Sequence, residues 1–139
     1  MLADSEISYP SIVSAGLPTV GVRVPQGFAG RLIGAFGKPL AAPSANRSGR
    51  MSPTQAAHVA TSLPGPDHGG PAVILDAGAC AVGLESTVVD ATGDQAVILR
   101  PGGLSREDIE TALGGAYGPV AEAHEIGPGG PRSPGMLAR

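Results

Sequence analysis

The chain is poor in aromatic residues and has no tryptophan: aromatics supply 3% of its 139 residues. A core must therefore come from Ala, Val, Leu and Ile. There is one cysteine, Cys80, which excludes an intramolecular disulfide and any metal site built from several thiolates. Charged residues make up only 15%, the net charge is −3, and no basic run exists. That argues against broad binding to nucleic-acid phosphates and leaves room only for a local patch. No apolar stretch reaches the roughly 18 residues that suggest a membrane-spanning helix. The first residues lack the basic-then-apolar order of a signal peptide. The expected setting is the cytoplasm, with no membrane partner.

What the chain has in abundance is glycine (22) and proline (14). They cluster between apolar runs and so mark turns. The length suits one domain, and 42% hydrophobic residues suffice for a core. Ile7, Ile12 and Val13 suggest a short helix ending at Gly16. In "PTVGVRVP" (18–25), Val20, Val22 and Val24 alternate with other residues, which predicts a strand. "GFAGRLIGAFG" (27–37) has helical spacing and a glycine stop. "PLAA" (39–42) reads as a buried strand, and "PAVILDAG" (71–78) as a strand running into a turn. In "SPTQAAHVATSL" (52–63), Ser52 and Gln55 form a capping-box pattern with Pro53 at the first helical position, and Pro64 ends the helix. "LESTVVDATGDQAVILRPG" (84–102) reads as two strands joined at "ATGD", with Val88, Val89, Val97, Ile98 and Leu99 inward. "LSREDIETALG" (104–114) is a helix capped by Ser105 and Asp108, with Leu104 stapled to Ile109. After Gly114 the chain reads as loose. Interleaved helices and strands with a late hairpin predict an α/β or α+β fold with a mixed sheet.

Three polar stretches carry candidate chemistry. The loop "LAAPSANRSGRMSP" (40–53) brings Ser44, Asn46, Ser48 and Ser52 toward an expected helix start, where unpaired N–H groups attract anions. Arg47 and Arg50 add charge, and Gly49 permits close approach. Such a loop fits a phosphate without the Lys-containing P-loop pattern. Equally, Ser and Asn in these places cap ordinary turns. In "GLESTVVD" (83–90), Glu85, Ser86 and Thr87 sit at the mouth of an apolar strand. In "ILRPGG" (98–103), Arg100 ends a strand, and its planar fork suits phosphate or carboxylate. Arg23 interrupts a valine strand, as a surface position also would. Together these predict an anion-lined pocket at one sheet edge, containing Ser44, Ser52 and Arg100. His58, His68 and His124 take no role, and no residue is assigned as a proton carrier or metal ligand.

"KPLAAPSANRSGRMSPT", "GLESTVVD" and "ILRPGGLS" follow one another in the order and at the approximate spacing of the YrdC-like family, which the chain resembles over roughly residues 10–139. The resemblance implies a twisted open mixed sheet with flanking helices. It implies formation of threonylcarbamoyl-AMP from L-threonine, bicarbonate and ATP with release of pyrophosphate, for threonylcarbamoyladenosine in tRNA. By family pattern Thr19, Ser44, Asn46, Ser52 and Arg100 would contact ATP. Arg23, Ala42 and Ser86 would contact threonine, and Mg²⁺ would accompany the nucleotide. Partners would include the tRNA-modification machinery and tRNA itself. Two alternatives are a non-catalytic nucleotide- or RNA-binding module and a maturation domain that handles carbamoyl-adenylate. The family's N-terminal "K-x-R" motif, with its threonine-contacting Thr and its His, does not appear in residues 1–18. The expected organisation is a partial YrdC-like domain over 1–120, lacking its N-terminal part, and a Gly/Pro-rich linker or tail over 121–139. Residues 1–139 alone are expected to be slower than a full-length relative.

Overall fold

A computed structural model describes residues 2–3, 9–14 and 17–123. The chain divides into two compact units. One comprises residues 1–23 and 84–139, the other residues 24–83.

The first unit holds the core. β3 (Val88–Asp90) and β4 (Val97–Arg100) form an antiparallel hairpin. Its turn is closed by Asp90, whose buried Oδ1 accepts from the Thr92 amide at 3.0 Å and the Thr92 hydroxyl at 2.7 Å. This is the Asx geometry that makes "ATGD" a turn. The pairing Val88↔Arg100 then Val89↔Ile98 leaves Leu99 as an extra residue on β4. That bulge re-aims the side chain that follows it, Arg100. Val97, Ile98 and Leu99 are all buried, as their unbroken apolar run predicts.

From β4 the chain enters α4 (Arg106–Leu113). The Ser105 side chain accepts from the Asp108 amide, and Asp108 accepts from the Ser105 amide, so the expected capping box is formed. Gly114, left-handed at φ 57°, ends the helix. Leu104 remains 60% exposed, so the expected staple to Ile109 contributes little. α4 returns the chain to β5 (Ala121–Glu122), which pairs parallel to β4. Among the described residues the sheet order is β3-β4-β5, with no further strand on either edge. A parallel neighbour requires such a crossover helix. Ala96, Ile98, Ile109 and Val120 form the core, with Val89, Leu113 and Tyr117 packed against them. Arg106 pairs with Glu122 at 2.7 Å, and Glu110 accepts from the Val120 amide at 2.9 Å. These contacts bind helix to strand. The segment after Gly114, read from sequence as loose, thus supplies the third strand. That strand is two residues long, too short for periodicity to reveal.

In the same unit, β1 (Leu2–Ala3) pairs antiparallel with β2 (Thr19–Val20), and α1 (Ser11–Ser14) lies between them in sequence. The expected helix end at Gly16 lies outside the described residues. The predicted strand 18–25 is shorter than its pattern. Beyond Val20 there is no ladder, and Val24 is 89% exposed. Alternation provides a face, but a strand forms only where a neighbour accepts its backbone bonds.

The second unit contains α2 (Gly27–Phe36) and α3 (Ala56–Ser62). α2 matches its pattern, and its stop is Gly37 at φ 72° with its N–H bonded to the Ile33 carbonyl. α3 begins four residues later than Ser52. Gln55 occupies the N-cap without a side-chain cap bond, so the expected Ser52–Gln55 capping box is absent. The helix stops at Leu63, before Pro64, as expected. Neither 39–42 nor 71–78 is a strand, and both runs are exposed. Asp76 instead accepts from the Gly78 amide at 2.9 Å, turning the chain. None of residues 24–83 is buried. Within the unit no described strand offers these apolar runs a partner, and an unpaired ladder leaves backbone groups to water.

No described helix is long and apolar enough to cross a membrane.

Candidate functional site

The expected site residues fall on both units. Thr19, Arg23, Ser86 and Arg100 belong to the first; Ala42, Ser44, Asn46 and Ser52 belong to the second.

On the first unit, Arg100 closes β4 immediately after the bulge. Its Nε donates to the Ser86 carbonyl at 3.2 Å, and its Nη2 donates to the same oxygen at 2.9 Å. Nη2 also donates to Ser86 Oγ at 3.1 Å. Glu85 lies 3.7 Å from Nη2. At that distance, with Glu85 exposed, the pair adds little by itself. The fork of the guanidinium is what permits this double hold, since an ammonium is a point donor. Because Ser86 Oγ accepts from Arg100, its own proton is free to point at an acceptor brought by a ligand. The backbone behind Ser86 is stitched to the turn after β4. The Gly103 amide donates to the Glu85 carbonyl at 2.9 Å. Thr87 Oγ1 donates to the Leu104 carbonyl at 2.9 Å and accepts from the Leu104 amide at 3.1 Å. Thr19 pairs with Ala3 in the β1–β2 ladder of the first unit. Arg23 follows β2 by three residues and is exposed.

On the second unit, the loop at 40–53 is organised by Asn46. Its Nδ2 donates to the Arg47 carbonyl at 3.0 Å and to the Arg50 carbonyl at 2.8 Å. The Arg50 amide donates to the Arg47 carbonyl at 3.0 Å, and Gly49 supplies the left-handed residue at φ 75°. Asn46 Oδ1 is buried and has no hydrogen-bond partner. Arg47 Nε donates to the Ser62 carbonyl at 3.0 Å, at the C-terminal end of α3. Its charge therefore serves a helix end rather than the loop's interior. Ser44, Ser52 and Ala42 are exposed. Ala42 lies in the loop rather than in a strand. The expected anion site at a helix start beside Ser52 is not formed, because α3 starts after Gln55 and is seven residues long. What the loop presents is a turn of hydroxyls and amides held by Asn46.

The sequence places Glu85 and Thr87 at the strand mouth without showing that Glu85 partners Arg100 or that Thr87 clamps the backbone, and it gives no sign of Gly102's part. The motifs containing them were visible, but the contacts join residues 14 to 17 positions apart and require the hairpin register. Among the described residues no group of three or more His, Cys, Asp or Glu is placed to hold a metal.

Comparison with known proteins places this arrangement. The model of the Sua5–YciO–YrdC family, described as "Telomere recombination", matches residues 1–102. A Schizosaccharomyces pombe protein named threonylcarbamoyl-AMP synthase is 53% identical over 107 residues, covering 76% of this chain and 25% of that protein. A Bacillus subtilis protein of the same name is 48% identical over 103 residues, covering 73% of this chain and 29% of its own length. The crystal structure of Pyrococcus abyssi Sua5 complexed with L-threonine superposes with a TM-score of 0.75 at 40% identity, over 94% of this chain and 37% of that one. The chain thus spans about a quarter to a third of the curated relatives it matches. By sequence and by fold, the chain belongs to the Sua5–YciO–YrdC family.

Proposed function

We propose that the chain carries threonylcarbamoyl-AMP synthase chemistry, using L-threonine, bicarbonate and ATP, and that the product serves threonylcarbamoyladenosine formation in tRNA through partner machinery. Threonine's amine attacks the bicarbonate carbon, and loss of water leaves a carbamate. A carbamate oxygen then attacks the α-phosphorus of ATP, and the bond to pyrophosphate breaks. These steps ask for positioning and charge neutralisation more than for a side-chain nucleophile. The donor set suits that demand, since it consists of hydroxyls, amides and guanidinium groups.

In this reading Arg23, Ala42 and Ser86 serve threonine, with Arg23 matched to its carboxylate and Ser86 donating its hydroxyl proton. Thr19, Ser44, Asn46, Ser52 and Arg100 serve the nucleotide. Arg100 has a second role, because its Nη2 fixes the hydroxyl of Ser86. The oxygen donors of Ser44, Ser52 and Asn46 fit Mg²⁺ held mainly by the nucleotide's own phosphates, the usual mode for that ion. When bound it neutralises phosphate charge.

The observation that carries the reading is the Arg100–Ser86 hold, which supports it by uniting two motifs in one donor group. The name shared by relatives at 48% and 53% identity supports it further. The test is pyrophosphate release from ATP by the purified chain with bicarbonate and Mg²⁺, with and without L-threonine. Release that depends on threonine and falls in Arg100→Ala supports the reading. Release indifferent to threonine, or no release at any enzyme concentration, overturns it.

A further inference from the structure

We propose that Gly102 is a positioning residue: its missing side chain lets the Glu85–Thr87 backbone cross directly over the turn after β4, and so seats Ser86 under the Arg100 guanidinium. The inference rests on the proposed role of Ser86 and Arg100.

Gly102 is half-buried. A Cβ built on it would stand 2.5 Å from the Thr87 amide nitrogen and 2.6 Å from the Ser86 carbonyl carbon, and closer still to the Glu85 carbonyl oxygen. All three obstacles are backbone atoms, so no flexible side chain can swing away. A methyl group there must push the two segments apart. The segments meet through bonds that tolerate little displacement. The Gly103 amide reaches the Glu85 carbonyl at 2.9 Å, and Thr87 Oγ1 bonds both backbone groups of Leu104. Arg100 reaches the same stretch from the other side of the turn, holding the Ser86 carbonyl and hydroxyl. Widening the crossing lengthens the Arg100–Ser86 bonds, and the Ser86 hydroxyl loses the acceptor role that aims its proton outward.

The requirement at Gly102 is one of space. It is not among the glycines with positive φ, so the backbone there suits any residue and only the close crossing demands glycine. Gly93, in the β3–β4 turn, has open space around its Cβ position and no positive φ. It serves as the control.

The experiment compares the wild-type chain with Gly102→Ala, Gly93→Ala and Ser86→Ala. The first readout is NMR of the Arg100 Nε–H and of the Gly103 and Leu104 amides, with the Ile98 and Val120 amides as reporters of the core. The second is L-threonine affinity by titration calorimetry. In Gly102→Ala the Arg100, Gly103 and Leu104 signals should shift and exchange faster, while Ile98 and Val120 keep their protection. Threonine should bind at least tenfold more weakly, and adding Ser86→Ala should cost no more. Gly93→Ala should match the wild type in both readouts. Unchanged Arg100 and Gly103 signals in Gly102→Ala overturn the proposal, as does unchanged threonine affinity. Loss of core protection also overturns it, by showing a general folding role. A wild-type chain that binds no threonine, with the Arg100 and Gly103 responses intact, overturns the functional reading and leaves the crossing at Gly102 established.

Discussion

Arg100 holds Ser86 twice, through the carbonyl at 2.9 Å and through the hydroxyl at 3.1 Å, both from Nη2. One guanidinium therefore fixes both the main chain and the hydroxyl of a serine 14 positions away. The bulge at Leu99 turns the arginine toward this task, and the close crossing at Gly102 brings the serine within reach. A strand-end arginine and a strand-mouth serine, separate in sequence, become one donor group.

The core of the first unit should answer to truncation, and the second unit should not. Ile98 is 4% exposed and packs with Ala96, Ile109 and Val120. Ile98→Ala should cost about 2–5 kcal/mol of stability, the range for deleting a buried branched side chain. Phe36, 56% exposed on α2, should change stability by less than about 1 kcal/mol on substitution by Ala. Urea titration of both variants measures this. Equal losses would show that α2 is packed in solution.

The cap of α4 is a second check. Ser105→Ala removes the acceptor of the Asp108 amide. It should cost about 0.5–2 kcal/mol. Ser105→Gly should cost only a few tenths. Thermal melting reads the difference. Because α4 connects two neighbouring strands, the loss should also speed exchange of the Ala121 amide, which bonds the Ala96 carbonyl at 3.1 Å.

Asn46 organises the serine loop by donating to two carbonyls. Asn46→Asp puts an acceptor against both. ATP affinity should fall by about tenfold, equivalent to about 1.4 kcal/mol, whereas L-threonine affinity without ATP should remain. Titration calorimetry with each ligand separates the two. A matching loss of threonine affinity would show that Asn46 serves the whole site.

The sequence made the hairpin at 88–100, α2, and the capped α4 legible, because each has a local signal: an Asx turn, a glycine stop, a Ser-x-x-Asp box. It misled where a signal needs a neighbour. "PAVIL" has the composition of a buried strand, yet Val73 is 70% exposed and the run joins no ladder. Ser52 has the spacing of a cap, but the helix takes Gln55 instead. β5 was missed because two residues, Ala121 and Glu122, cannot show a period. At the candidate site, Ser86 and Arg100 were legible as polar residues at strand ends. Their mutual contact was not, since it depends on a one-residue bulge that no local pattern announces.

Titration of L-threonine into the wild-type chain and into Arg100→Lys separates the double hold on Ser86 from the charge of Arg100 alone. Lysine keeps the charge but cannot hold the Ser86 carbonyl and hydroxyl together. Binding should be saturable and one-site in the wild type, with affinity lower by about 10- to 100-fold in Arg100→Lys, matching a loss of about 1.5–3 kcal/mol for a charge-assisted hydrogen bond. Equal affinity in the two chains, or no saturable binding in the wild type, would contradict it.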